Sequence, residues 1–150
     1  MRYISSAHNT LILHAKKLAT NASYRRKSMQ TIIEGVHLCE SFLQIKNDRP
    51  VLCIVGESSA DNSEVARVVA AAEQGEVECV TVEDSIFSAI SQLKHGVAVA
   101  FIVAIPEQTD PGVITETSLL LEDVQDPGNL GTILRTAVAA GGSRVMLSSG

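Results

Sequence analysis

The chain has 150 residues, 45% of them apolar and 19% charged, a balance that suits about one folded domain and excludes an intrinsically disordered segment. With 12 basic and 17 acidic residues the net charge is −5, which argues against non-specific coating of nucleic acid. Aromatics at 3% and no tryptophan argue against a stacking platform for single strands. The charge is unevenly placed. Residues 1–33 hold Arg2, Lys16, Lys17, Arg25, Arg26 and Lys27 and no acid, the first acid being Glu34. A basic segment on an acidic chain points to a local phosphate contact.

In chain order, Asn9 or Thr10 caps a first helix in which Leu11, Ala15 and Leu18 share one face and Lys16 and Lys17 lie on the other. Asn21-Ala22-Ser23 is expected to break it, Arg25-Arg26-Lys27 to follow, and Gln30 to Ile33 to form a short strand. Val36 to Leu43 reads as a helix and Lys46-Asn47-Asp48-Arg49-Pro50 as a polar turn. Val51 to Val55 is a near-continuous apolar strand, the pattern of burial on both faces, closed by Gly56. Ser63 caps a helix running through Ala72, and Cys79 to Val82 is a third strand. Asp84 or Ser85 opens a helix containing Ile86, Phe87, Ile90 and Leu93, closed by His95-Gly96. Val97 to Ile105 is the longest apolar run, nine residues; a bilayer span needs roughly 20, so this is a fourth strand. No secretory signal is recognised at the N-terminus.

Pro106 to Thr117, with Asp110-Pro111-Gly112 inside it, is a turn-rich connector and marks a domain boundary, giving domains 1–113 and 118–150. After it come a strand at Leu119 to Leu121, a turn at Asp126-Pro127-Gly128-Asn129, a helix from Leu130 to Ala140, a stop at Gly141-Gly142 and a strand from Arg144 to Leu147. Strands alternating with helices predict an α/β sandwich. A lone β-α-β unit cannot bury both faces of its strands and falls below the ~40 residues at which free-standing folds need staples. The last segment therefore reads as the opening of a larger domain.

The last helix carries the strongest signal. Leu130, Ile133, Leu134, Ala137 and Val138 form an apolar face, expected to be its core side. Arg135 falls opposite, among Gly131, Thr132, Ala139 and Gly142, small residues that let another molecule approach the backbone. The helix start lies at the carboxyl end of the preceding strand, where α/β sheets bind ligands and helix N–H groups favour anions. Elsewhere the residues are blander. Cys39, Cys53 and Cys79 are far apart and form no CxxC, which suits buried thiols in a reducing cytosol rather than a redox or metal site. His8, His14, His37 and His95 lack metal-ligand spacing; His8 and His14 suit the basic patch, His37 and His95 structural places. Glu83-Asp84 and Glu122-Asp123 read as solvated acids or helix-start charges.

The string Asn129-Leu130-Gly131-Thr132-Ile133-Leu134-Arg135-Thr136-Ala137 follows N-x-G-x-x-x-R-x-A. With Leu121-Glu122-Asp123-Val124-Gln125-Asp126-Pro127-Gly128 before it, it resembles the first conserved motif of the SpoU/TrmH family, S-adenosylmethionine-dependent RNA 2′-O-ribose methyltransferases of the SPOUT superfamily. Tyr24-Arg25-Arg26-Lys27, Ile33-Glu34-Gly35 and Gly96-Val97-Ala98-Val99 are similar, more loosely, to that family's substrate-binding domain, which resembles kink-turn-binding ribosomal proteins. The resemblance implies a three-layer α/β sandwich over 1–113 that binds structured RNA, ribosomal RNA first among candidates, followed by the start of a trefoil-knot SPOUT domain over 118–150. It implies that Arg135 and Asn129 are catalytic, with Arg135 acting at the target ribose 2′-hydroxyl. A guanidinium orients phosphate or stabilises alkoxide charge more readily than it removes a proton, because its pKa is high.

By the same resemblance Gly131 gives close backbone approach, Lys16, Lys17, Arg25, Arg26 and Lys27 meet RNA, and S-adenosylmethionine is the cofactor. The active site is expected to be shared across a homodimer in the cytoplasm, with no membrane and no metal involved. The family's second and third motifs, which build the knot and the cofactor pocket, have no counterpart before Gly150. The chain is therefore expected to be a fragment of a longer enzyme, inactive alone and holding no cofactor-binding residue. Two rival readings compete with this one. One is a non-catalytic RNA-binding module of ribosomal-protein type. The other is a small-molecule-binding α/β protein that uses the Gly128 to Gly131 turn, although that turn lacks G-x-G-x-x-G and P-loop spacing.

Overall fold

The computed structural model describes residues 1–45, 48–93, 96–107 and 116–148. The chain divides into two compact units, Met1–Glu107 and Gln108–Gly150. Most of the expected connector (108–115), part of the polar turn (Lys46, Asn47), His95 and the last two residues lie outside the described residues.

The first unit holds five strands, β1 (Arg2–Ile4), β2 (Gln30–Glu34), β3 (Leu52–Gly56), β4 (Cys79–Val82) and β5 (Val99–Ala104). Its helices are α1 (Thr10–Thr20), α2 (Ala22–Ser28), α3 (Val36–Leu43), α4 (Ser63–Gln74) and α5 (Asp84–Ser88). The sheet order is β1-β4-β3-β5-β2. β1, β4 and β3 run parallel, and β5 runs antiparallel to both β3 and β2. All five residues of β3 are buried, as an apolar run without alternation requires when helices cover both faces.

The two faces have separate cores. Leu52, Ile54, Val80, Val82, Ala100 and Ile102 pack with Ile12, Ala15 and Leu18 of α1 and with Ile86 and Phe87 of α5. Cys53, Val55, Cys79, Val99, Phe101 and Val103 pack with Val36 and Cys39 of α3 and with Val65, Val68, Val69 and Ala72 of α4. Each large side chain so buried contributes about 1.5–3 kcal/mol, and the arrangement is helices, sheet, helices.

Several boundaries differ from expectation, each for a local reason. The three-residue strand β1 is too short to show a period. Asn21 does not simply break a helix. Its N–H bonds Lys17 O at 3.0 Å to finish α1, while its side chain accepts from Tyr24 N at 2.9 Å to start α2. Arg25, Arg26 and Lys27 thus belong to a helix, in its last turn. Asn62, rather than Ser63, caps α4 by accepting from Glu64 N and Val65 N. α5 stops at Ser88 and does not reach Leu93, because the Glu34 carboxylate takes the Ser91 hydroxyl and, at 3.0 Å, the Gln92 N–H. β5 starts at Val99 because Ala98 gives its N–H to the Ser59 hydroxyl at 2.9 Å instead of to a strand. His37, expected in a structural place, is exposed on α3.

The second unit is a β-α-β arrangement of β6 (Ser118–Leu121), α6 (Pro127–Ala139) and β7 (Arg144–Leu147), with the strands parallel. The expected turn is the first turn of α6 itself. Asp126 is the N-cap, its carboxylate accepting from Asn129 N at 2.8 Å, and Pro127 follows in the first turn, where its missing N–H costs nothing. No residue of α6 is buried. The core face expected there is only half-covered, with Val138 71% exposed, and Leu120 on β6 is 67% exposed.

Candidate nucleic-acid interface and motif helix

The basic end of the first unit is organised around an aromatic and polar cluster. His14 lies with Nδ1 2.9 Å from Tyr24 Oη and Nε2 2.7 Å from Gln30 Oε1. The two rings meet edge to face with centroids 5.6 Å apart, and Lys17 Nζ sits 5.5 Å from the Tyr24 ring centroid, a cation–π distance. This cluster ties α1, α2 and β2 together, so the basic side chains project from a fixed frame. His14 enters it as a connector between three elements.

The five expected RNA contacts are not equivalent. Arg26 and Lys27 are exposed at the end of α2, Lys17 is exposed over Tyr24, and Lys16 is half-buried. Arg25 turns inward, its Nη1 donating to Leu18 O at 2.8 Å and more weakly to Ala19 O at 3.5 Å. It closes the carbonyl end of α1, so only part of its charge faces solvent. Residue types alone give no sign of this division, since it depends on the corner at Asn21. Gln30, Gln92 and Glu34 are the residues that frame this end and that sequence patterns did not single out as a site; Glu34 entered only within the Ile33-Glu34-Gly35 similarity.

In the second unit α6 brings Asn129, Thr132 and Arg135 onto one slanted row, three residues apart. The Arg135 guanidinium lies back toward the start of the helix. Its Nη2 donates to Thr132 Oγ1 at 3.4 Å, and Nη1 lies 3.9 Å from where a side chain on Gly131 would begin. Among the described residues it has no carboxylate partner, so most of its five N–H donors stay open. Asn129 is exposed, and among the described residues its side chain makes no hydrogen bond. An open hollow of about 510 Å³ beside this row is lined by Asp123, Val124, Gln125, Asp126, Asn129, Thr132 and Ile133. Because Asp126 already occupies the helix start, the free N–H groups there are not a vacant phosphate cradle.

Among the described residues no cluster of His, Cys, Asp and Glu is placed to hold a metal, and no helix is long and apolar enough to cross a membrane.

No known protein-family model matches the chain. It is 34% identical over 151 positions to the 23S rRNA (guanosine(2553)-2′-O)-methyltransferase RlmP of Bacillus subtilis, covering 100% of this chain and 56% of that protein. Over 32 residues, 21% of this chain and 7% of the relative, it is 66% identical to the mitochondrial rRNA methyltransferase 3A of Danio rerio. A solved RNA 2′-O ribose methyltransferase matches with a TM-score of 0.79 at 25% identity, over 99% of this chain and 56% of that one. The SpoU methyltransferase AviRb from Streptomyces viridochromogenes, in complex with AdoMet, shares the fold with a TM-score of 0.77 at 14% identity, over 93% and 53% of the two chains. A mixed α/β unit followed by this motif helix is thus an arrangement found in solved RNA methyltransferases. Over its whole length the chain is similar to RNA 2′-O-methyltransferases of the TrmH and SpoU type. It spans about half the length of the relatives it matches.

Proposed function

We propose that the whole protein methylates a ribose 2′-hydroxyl of ribosomal RNA, with the first unit holding structured RNA and α6 carrying part of the catalytic constellation. The observation that carries this reading is the Arg135 guanidinium, exposed, without an acid partner among the described residues, and laid over Gly131 in the N-x-G-x-x-x-R-x-A motif. A cation so placed binds a phosphate or stabilises the oxygen charge that develops as the hydroxyl attacks a methyl group. It is a poor proton acceptor, because a guanidinium stays charged. Asn129, at the start of the same row, offers an amide to orient the ribose or a neighbouring loop. Gly131 keeps the backbone between them clear.

S-adenosylmethionine is the methyl donor that the family implies. The described residues do not build a pocket for it: the hollow beside α6 is open, two of its lining residues are acids, and its helix start is taken by Asp126. No residue of this chain is assigned to that cofactor. We further propose that the first unit is of the kink-turn-binding ribosomal-protein type, with domains at 1–113 and 118–150, the second being the start of a trefoil-knot domain. The enzyme then acts as a cytoplasmic homodimer in which Arg135 serves the partner subunit's cofactor site. The small-molecule reading is disfavoured by the occupied helix start, and a non-catalytic RNA module leaves the bare guanidinium of Arg135 without a use.

The test is transfer of labelled methyl groups from S-adenosylmethionine to deproteinised ribosomal RNA by the product of the whole reading frame. Arg135→Ala is expected to lower transfer about 100-fold or more while RNA affinity stays within about twofold. Unchanged transfer removes Arg135 from the chemistry.

A further inference from the structure

We infer that Thr132 is a positioning residue for Arg135: its hydroxyl oxygen holds the guanidinium over Gly131, facing the start of α6, before substrate arrives. This rests on the methyl-transfer reading above. The N-x-G-x-x-x-R-x-A pattern leaves position 132 open, so the role comes from the geometry alone. Thr132 precedes Arg135 by three residues and stands beside it on the helix surface. Its hydroxyl donates to Gly128 O at 3.0 Å. The single hydroxyl proton is thereby committed, and what the oxygen still offers is a lone pair. Arg135 Nη2 donates to that oxygen at 3.4 Å. A guanidinium accepts no hydrogen bond, so only an acceptor can hold it.

The choice of acceptor matters for the chemistry. A free arginine side chain samples many rotamers, and fixing it during the reaction costs entropy. A carboxylate would fix it more firmly, but it would also compete with the phosphate or developing alkoxide that the cation is to meet. A neutral hydroxyl sets the direction and leaves the charge whole. The bond is long, and it occupies one N–H of five. The guanidinium can therefore shift toward substrate while starting from the correct side of the helix. Donors arranged in advance in this way favour the transition state without reorganisation.

The oxygen is itself aimed. A helical threonine divides between two side-chain rotamers, and a bond to the carbonyl four residues earlier selects one of them. The bond to Gly128 O makes that selection at Thr132. Thr136 makes the equivalent bond to Thr132 O at 2.9 Å, and among the described residues its hydroxyl does not meet Arg135. The two threonines are both exposed and are alike in their backbone bonding. They differ in contact with the guanidinium, which makes Thr136 a matched control. Exposed positions of this kind carry little of the stability.

The test measures methyl transfer by the product of the whole reading frame, with S-adenosylmethionine and deproteinised ribosomal RNA, and determines kcat and the KM for RNA separately. Thr132→Val keeps the shape and removes the oxygen. It is expected to lower kcat about three- to tenfold, the usual effect of one hydrogen bond, with KM within about twofold and Tm unchanged. Thr132→Ser, which retains the oxygen, should restore kcat, and Thr136→Val should leave it within about twofold of wild type. Adding Thr132→Val to Arg135→Ala should slow the enzyme no further, because the two residues act as one unit. Wild-type kcat in Thr132→Val, an equal loss in Thr136→Val, no recovery with serine, or a further loss in the double variant each overturns the proposal. If Arg135→Ala alone transfers methyl groups at the wild-type rate, or if wild type transfers none, the methyl-transfer reading fails and this role for Thr132 falls with it.

Discussion

Arg25, Arg26 and Lys27 are consecutive in the chain and unequal in space. Arg25 spends its charge on the last carbonyls of α1, so Arg25→Ala should cost about 1–2 kcal/mol of stability, read as a lower Tm. The pair Arg26→Ala/Lys27→Ala should leave Tm almost unchanged and reduce the salt slope of RNA binding by about two phosphate contacts. If Arg25→Ala lowers RNA affinity without touching Tm, its inward bonds are not what hold it. A second residue-scale consequence concerns the thiols. All three cysteines are buried and free. Burial pushes the Cys39 thiol up from 9.0 to about 12, and the bond to Cys79 together with burial moves Cys53 in the same direction, while Cys79, as the acceptor, is lowered. The folded state thus holds the Cys39 and Cys53 protons more tightly than the unfolded chain does. That contribution is whole below pH 9 and is lost as pH rises toward 12. Melting curves from pH 7 to 11 should show Tm falling above pH 9, and Cys39→Ala should start lower and fall less steeply.

At the scale of elements, two substitutions probe how the chain is punctuated. Asp126→Ala removes the N-cap of α6 and should cost about 1 kcal/mol, seen as faster amide exchange in the first turn. Gly56→Ala forces a methyl against Ala98 and Asp84 and should cost about 1–3 kcal/mol in the melting of the first unit; a neutral result would mean that β3 and the Val97-Ala98 segment can part. These elements also show what was legible beforehand. Val36–Leu43, Cys79–Val82 and Arg144–Leu147 stand where periodicity put them, because each is a self-contained pattern flanked by its own stop signals. What was not legible came from partners distant in sequence. Glu34 shortens α5 from 57 residues away through Ser91, and Ser59 delays β5 from 39 residues away through Ala98. The corner at Asn21 looked like a break because a residue that ends one helix and starts the next leaves the same local signature as a loop. Within the motif helix the residues Asn129, Gly131 and Arg135 were all readable, and Asp126-Pro127-Gly128-Asn129 has the composition of an Asx-type cap as much as of a vacant turn; the structure shows the cap.

On the scale of the whole molecule the two units differ in how completely they bury their apolar residues. The first has a core on each face of its sheet, with Phe101, Ile12, Leu18 and Ile54 sealed from water. The second leaves Leu120, Val138 and Leu147 in solvent, and no residue of α6 is buried. Local opening energy follows buried contact. Hydrogen exchange should therefore protect β3, β4 and β5 by the full unfolding free energy, while α6 exchanges orders of magnitude faster in this 150-residue chain. Equal protection of both units would show that α6 is covered by something the described residues do not reveal.

The sheet of the first unit is closed by its earliest segments. β2 pairs with β5 in the register Gln30 to Ala104, and β1 pairs with β4 in the register Arg2 to Val80. During synthesis both outer strands therefore wait for partners that emerge some 70 residues later, and such long-range pairing is slow. Until β5 has been made, Gln30 has no strand to fix it, and the cluster of His14, Tyr24 and Gln30 that aims α2 has no anchor. The basic arm thus leaves the ribosome well before β5, the strand that fixes its orientation. A nascent chain released before Ala104 would carry the phosphate-seeking charge without the geometry that directs it.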